Sequence, residues 1–277
     1  MEILYRVYDP TKNITALVTT PVPRRLHTAV AAKLMSALTS VEQAGFLEEP
    51  SDPAARLRLQ MMGGEFCGNA AMSAAVYLAE QDGLPDGREA CYPIEVSGSP
   101  GILRCHIEHS GGAFWGTVSM PLPEEICSVE LPPLGAAGPQ SVPAVRFPGI
   151  VHCIVPTDRI TRQTVETELP AQISALCARL RSDACGLLLF DERSSSFTPL
   201  VYVASTDTAV WESGCGSGSA AIGAYLSQRD GSNGNIALRQ PGGIIWVRSL
   251  RNCDRITSLT ITGQVQAVGN NHIDFDP

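Results

Sequence analysis

Two cysteines sit where chemistry is easiest to do. Cys67 closes the run Gly63-Gly64-Glu65-Phe66-Cys67-Gly68-Asn69, and Cys215 stands in Ser213-Gly214-Cys215-Gly216-Ser217-Gly218. Each ends a glycine-rich turn and opens a small-residue, apolar segment of the kind that forms a buried helix. A cysteine there lies at the positive helix end. A thiol already titrates nearer neutrality than a hydroxyl, and a helix amino terminus is expected to lower it further. Two such thiols suit the removal of a proton from one face of a carbon and its return from the other, one resting as thiolate and one as thiol. The same termini form an anion site, because the N–H groups of Gly68, Asn69, Gly216 and Ser217 find no carbonyl within the helix. A carboxylate held there is stabilised as its α-carbon becomes carbanion-like. The constellation reads as racemisation or epimerisation of an amino acid without a cofactor.

Three other chemistries fit parts of the pattern. Gly214, Gly216 and Gly218 before a helix resemble a phosphate-binding turn, but the P-loop lysine and the strict dinucleotide spacing are missing. Pyridoxal phosphate chemistry needs a Schiff-base lysine, and the chain has only Lys12 and Lys33. A redox or metal-binding module would use the same two cysteines, with His152 as a third ligand. His152 alternates with Val151 and Cys153 on a strand-like run, where a histidine is more often a satisfied core or surface group than a catalyst.

The elements that position these cysteines occur twice. Laid over one another without a gap, Cys67-Gly68 meets Cys215-Gly216, Tyr77-Leu78 meets Tyr225-Leu226, and Asp82-Gly83 meets Asp230-Gly231. Each helix is followed by a strand, a Pro-Gly turn and another strand. A duplication of one unit follows, with a pseudo-twofold axis across which the cysteines are expected to face each other. From Cys67 to Ala79 the segment is apolar on every face, so it must be buried on every face, and its neighbours are nearly all strand-like. The expected fold is α+β: two pseudo-symmetric domains, each a mostly antiparallel sheet curled around a central buried helix. The expected domains are residues 1–119 with 264–277, and residues 120–263.

Along the chain, strands are expected at Ile3–Tyr8 and Ile14–Thr20, with the polar Asn13 between them available to a ligand. A helix is expected over about Arg24–Leu38, with Val30, Leu34 and Leu38 on its buried face. Glu42 and Gln43, ahead of an apolar pair, read either as a solvated turn or as part of a substrate cleft. In the second half a Pro/Gly/Ala loop leads to Gln140, and a helix is expected over about Gln163–Leu180. The net charge of −8 is spread along 277 residues. No basic stripe offers itself to nucleic acid, and no apolar run is long enough to cross a membrane. Nine cysteines without any Cys-x-x-Cys spacing favour neither a disulfide framework nor a structural zinc site. With no signal-peptide pattern at Met1–Arg6, the expected setting is the cytoplasm, the partner a small amino acid, and the assembly a homodimer.

Cys67-Gly68-Asn69, Cys215-Gly216-Ser217-Gly218 and the Gln240-Pro241-Gly242-Gly243 turn resemble the catalytic signatures of the diaminopimelate epimerase superfamily over nearly the whole chain. The resemblance implies Cys67 and Cys215 as the two bases, with Gly68, Asn69, Gly216 and Ser217 around the α-carboxylate. His152 matches the histidine of the superfamily's Gly-Asn-Pro-His strand, implied to sit near the first cysteine. Two departures stand out. Ile150 replaces that strand's asparagine, and Ser205-Thr206-Asp207-Thr208 lacks the Glu-Arg pair that holds the far end of diaminopimelate, so nothing evident pairs with a second carboxylate. The segments Asn13-Ile14-Thr15, Glu42-Gln43-Ala44-Gly45-Phe46, Phe190-Asp191-Glu192 and Trp211-Glu212-Ser213 are closer to the staphylopine-pathway histidine racemases. That likeness implies production of D-histidine for an opine-type metallophore, with Asn13, Glu42 and Glu212 in the pocket and Glu212 also acting on Cys215.

Overall fold

The computed structural model describes residues 1–131, 140–157 and 162–276. The chain divides into two compact units, Met1–Ser119 with Ile261–Pro277, and Met120–Thr260. Both are sheet-dominated and α+β. The Pro/Gly/Ala loop expected before Gln140 lies outside the described residues.

In the first unit the elements are β1 (Glu2–Pro10), β2 (Thr15–Val18), α1 (His27–Ala37), β3 (Gln43–Glu48), β4 (Leu57–Met61), α2 (Gly68–Gln81), β5 (Arg88–Val96), β6 (Ile102–Ser110) and β7 (Ala113–Ser119). The last strand of the chain, β16 (Arg255–Asp274), follows β7 in the sheet order and pairs back with β1 from Val265↔Pro10 to Asp274↔Glu2. The sheet therefore closes on itself, which removes its edges. Helices α1 and α2 each serve a parallel connection, β2 to β3 and β4 to β5; β1–β16, β1–β2, β3–β4, β5–β6 and β6–β7 pair antiparallel.

Helix α2 runs through the closed sheet and packs on β1, β2, β5, β6 and β7. Its residues from Gly68 to Val76, and Leu78 and Ala79, are buried, as an all-apolar surface requires. The residues are small because the sheet leaves little room: a side chain on Gly116 of β7 would begin 2.9 Å from Met72 Cβ. The helix expected from Arg24 is divided into a short 3-10 turn, Arg24–Leu26, and α1 proper, which buries His27, Val30, Ala31 and Leu34. Leu38 falls at the α1 C-cap and packs, half-buried, against the same core.

The second unit repeats the order. It comprises β8 (Glu125–Leu131), β9 (Gln140–Phe147), β10 (Ile150–Pro156), α3 (Arg162–Leu180), β11 (Ala184–Asp191), β12 (Ser196–Val203), β13 (Thr208–Trp211), α4 (Gly216–Asp230), β14 (Gly234–Gln240) and β15 (Gly243–Asn252). Here β10–β11 and β12–β14 are the parallel pairs, spanned by α3 and α4, and β13 hangs on β12. Helix α4 packs on β9, β10, β14 and β15. Strands β8 and β9 begin three residues earlier than the apolar pattern at Ser128 and Pro143 suggests, because pairing between Glu125↔Arg146 and Leu131↔Gln140 supplies hydrogen bonds to polar positions as readily as to apolar ones.

Gly223 carries the closeness of α4 to its sheet. A Cβ there would fall 2.4 Å from Val247 Cγ1 and 3.0 Å from Val247 Cβ. Alanine in place of a helical glycine usually gains about 1 kcal/mol, but β-branched Val247 is stiff and buried, and overpacking costs about 1–3 kcal/mol. Gly223→Ala is therefore expected to lower the urea midpoint. A raised midpoint would show that the helix and β15 have room to spare.

Candidate active site

Each cysteine caps its own helix. Cys67 has an extended backbone (φ −134°, ψ 112°), and its sulfur accepts the Ala70 N–H at 3.4 Å. Cys215 repeats this (φ −126°, ψ 106°), its sulfur accepting the Gly218 N–H at 3.4 Å. A side-chain acceptor at this position meets one of the orphan donors of the first turn. The two preceding amides, Gly68 and Asn69 in one unit and Gly216 and Ser217 in the other, belong to the same first turn.

Each cysteine loop is braced by the turn that follows the next strand. In the first unit Ser97 Oγ donates to Glu65 O (2.8 Å) and accepts from Met61 N (2.9 Å). Gly98, with φ +69°, packs so close that a Cβ would lie 2.3 Å from Phe66 N. In the second, Gln240 Oε1 accepts the Cys215 N–H at 2.5 Å, and Gln240 Nε2 donates to Ser219 Oγ at 3.0 Å. Ser219 Oγ in turn donates to Cys215 O. Sequence reasoning placed Gln240 in a turn but missed its contact with the cysteine, and it passed over Ser97 entirely.

The first unit gathers a polar group around Cys67. Residues Thr11 and Lys12 turn the chain between β1 and β2 with positive φ (62° and 61°), a conformation costly for non-glycine residues. Asp9 holds this turn by accepting from both Lys12 N and Lys12 Nζ. The turn delivers Asn13, which is buried. Asn13 Nδ2 donates to Glu42 Oε2 (2.8 Å), while Asn13 Oδ1 accepts from Asn69 Nδ2 (3.0 Å) and Gln43 Nε2 (2.6 Å). Gln43 Oε1 accepts from Cys67 Sγ at 3.2 Å. Glu42 and Gln43 are half-buried and hydrogen-bonded into this group rather than forming a solvated turn. Burial raises the Glu42 carboxyl, against the opposing pull of Asn13.

The second unit surrounds Cys215 differently. His152 is fully buried, and its Nε2 lies 2.9 Å from Ser217 Oγ, which lies 3.6 Å from Cys215 Sγ. Its strand partner is Gly186, whose missing side chain is required: a Cβ would fall 2.1 Å from His152 Nδ1. Burial pushes His152 down to about 3, so the ring is neutral. With Nδ1 buried and unpartnered, the proton belongs on Nε2, since an orphaned N–H is rarer than an orphaned acceptor. The Ser217 hydroxyl is then free to donate to sulfur. The resemblance implied a place for His152 near the first cysteine; within its own unit it meets Ser217, beside Cys215.

One expectation is corrected. Both thiols were expected to titrate low, yet burial pushes Cys67 up to about 11 and Cys215 well above the ordinary thiol value. Desolvation of a thiolate outweighs the helix-end amides, and at Cys215 the charge of Glu212 and its hydrogen bond to the thiol add to the rise. Both shifts favour the thiol form near neutrality. Among the described residues, no cluster of three or more His, Cys, Asp and Glu side chains has metal-holding geometry, and no helix is long and apolar enough to cross a membrane.

Residues 2–273 match the family model described as the histidine racemase CntK N-terminal domain. The chain belongs to this family. A histidine racemase from Staphylococcus aureus is 31% identical over 96% of this chain and 95% of its own length. Another from Fusobacterium nucleatum is 30% identical over 84% and 81%. Among solved structures, a probable proline racemase from Agrobacterium radiobacter K84 has the same fold, with a TM-score of 0.70 at 14% identity over 99% of this chain and 94% of that one. As a family member the chain is an amino-acid racemase, and so an isomerase.

The buried, neutral His152 has a measurable cost. Its folded value lies far below the unfolded 6.5, so below that pH the unfolded chain binds a proton that the native chain refuses. Stability therefore falls as pH drops from 6.5 towards 3 and is unaffected by this group above 6.5. Between pH 6.5 and 5 the loss is about 2 kcal/mol. Denaturant titrations should show this increment in the native protein and its absence in His152→Gln. Equal acid sensitivity in the two would contradict the assignment.

Proposed function

We propose that the chain interconverts L- and D-histidine without a cofactor, using Cys67 and Cys215 as the two bases on opposite faces of the α-carbon. The observation that carries this reading is the repeated placement of a cysteine sulfur as the N-cap of a buried helix, once in each unit. Such a sulfur shares its helix end with the first-turn amides, so a substrate carboxylate bound at Gly68, Asn69, Gly216 and Ser217 lies next to the thiols. The substrate's identity is carried by the family: its named relatives are histidine racemases.

In one direction the Cys215 thiolate takes the α-proton, the electron pair delocalises into the carboxylate held by the helix-end amides, and Cys67 returns a proton from the other face. The reverse reaction exchanges the roles. A thiol raised by burial is a stronger base once ionised, which favours abstraction from a weakly acidic C–H. Glu212, hydrogen-bonded to the Cys215 thiol, is the group placed to take its proton, and the Ser217 hydroxyl, ordered by His152, steadies the thiolate. Glu42 with Asn13 offers a carboxylate to a polar side chain, whereas no arginine replaces the one that would hold a second acid. The repeated strand and helix order supports two pseudo-symmetric, diaminopimelate epimerase-like domains, 1–119 with 264–277 and 120–263. We further take the enzyme to be a cytoplasmic homodimer that supplies D-histidine to an opine-type metallophore.

The test is exchange of the α-proton in deuterated water across a panel of L-amino acids, with no cofactor added. Histidine should exchange and racemise, and diaminopimelate should not. Cys67→Ser and Cys215→Ser should each depress racemisation by at least about a hundredfold with the fold retained, since serine is a far weaker base near neutrality. Exchange of diaminopimelate with inert histidine, or near-normal turnover in either variant, would overturn the reading.

A further inference from the structure

Cys215 is held by more than its helix. Its N–H donates to Gln240 Oε1 (2.5 Å), Gln240 Nε2 donates to Ser219 Oγ (3.0 Å), and Ser219 Oγ donates to Cys215 O (2.7 Å). The three bonds close a ring about the cysteine backbone. Its direction is set by the main chain: the Cys215 N–H can only donate, so the amide oxygen of Gln240 faces it, and the Cys215 carbonyl can only accept, so the Ser219 proton points there. All three residues are buried. The turn after Gln240 adds a further tie, from Gly242 N–H to Ser213 O at 2.8 Å. The first unit departs here, because the residue that overlies Ser219 is Ala71, which has no hydroxyl and brings its backbone N–H alone to Cys67 O (3.0 Å).

We propose that Gln240 and Ser219 are positioning residues that lock the Cys215 backbone and so fix where its sulfur stands during proton transfer. The inference rests on the reading of Cys215 as a proton carrier. An N-cap residue is joined to its helix through its C=O, while its own N–H lies outside the helical ladder, so the helix alone leaves it freedom to turn. The ring removes that freedom. It grips the peptide groups on both sides of the α-carbon and holds φ at −126° and ψ at 106°. The sulfur is left with rotation about Cα–Cβ, which the contact with Gly218 N–H stops. Glu212, Ser217 and the Gly218 amide act on the thiol itself, whereas Gln240 and Ser219 act on its place. Place matters, because a misplacement of about 1 Å can slow a reaction about a hundredfold.

The test is racemisation of histidine by the full chain, followed from each enantiomer with α-protiated and α-deuterated substrate. Ser219→Ala opens the ring by one hydroxyl, giving the second unit what the first carries at Ala71. Gln240→Met keeps the length and removes both of its bonds. In Ser219→Ala kcat should fall at least about fivefold, and further in Gln240→Met, with KM within about twofold of wild type. The isotope effects identify the base that has moved. Slower transfer at Cys215 raises the α-deuterium effect on kcat/KM for the enantiomer that Cys215 deprotonates, since that step then limits the rate. It lowers the effect for the other enantiomer, whose labelled proton leaves to Cys67 before the slow step. A loss of folded protein lowers kcat but moves neither effect, and Ser219→Ala carries the test where Gln240→Met does not fold. Unmoved isotope effects, effects that move in the same direction, or a normal kcat in Ser219→Ala overturn the inference. Failure of the racemase reading would appear separately, as wild-type protein that exchanges no α-proton.

Discussion

The use of a cysteine sulfur to cap a buried helix is the interaction on which the rest depends. Serine, threonine or aspartate would cap more strongly, and a buried helix end has few ways to satisfy its amides. Each sulfur takes the third amide of its helix at a long 3.4 Å, and Cys67 also takes the Asn69 amide. The glycine turn ahead of each cysteine, the small residues of each helix and the braces from Ser97 and Gln240 all hold that arrangement. An anion is a natural partner for helix-end N–H groups that find no carbonyl within the helix.

The same cap is given different neighbours in the two units. Cys67 meets an amide oxygen, whereas Cys215 meets a carboxylate and a hydroxyl ordered by a neutral histidine. Burial raises both thiols, so the partners, and not the helix ends, distinguish them. The cap is the same in both units, and a few side chains from the neighbouring strands, loops and helix make the surroundings of the two sulfurs different.

Much of this was legible in the residues. Helices α2 and α4 were plain because an apolar surface without a polar face has to be buried, and the cysteines because a glycine turn before such a helix marks its positive end. Asn13, Glu42 and Asn69 were named singly, and the structure joins them through hydrogen bonds. What the sequence hid was partnership across strands. Nothing local pairs Gln43 with Cys67, Gln240 with Cys215 or His152 with Ser217, since each contact depends on strand register. The direction of the thiol shifts was hidden for the same reason: the helix-end effect is local, whereas desolvation belongs to the folded environment.

The central claim, that two thiols serve opposite faces of one α-carbon, is tested most directly by where deuterium first appears. The protein is incubated with L-histidine in deuterated water, and product and residual substrate are separated by chirality after only a few per cent of conversion. With two bases of slow-exchanging protons, the D-histidine formed carries deuterium at the α-carbon while the remaining L-histidine stays protiated. Deuterium entering residual substrate as fast as product would mean that a single base handles both faces, and would contradict the account.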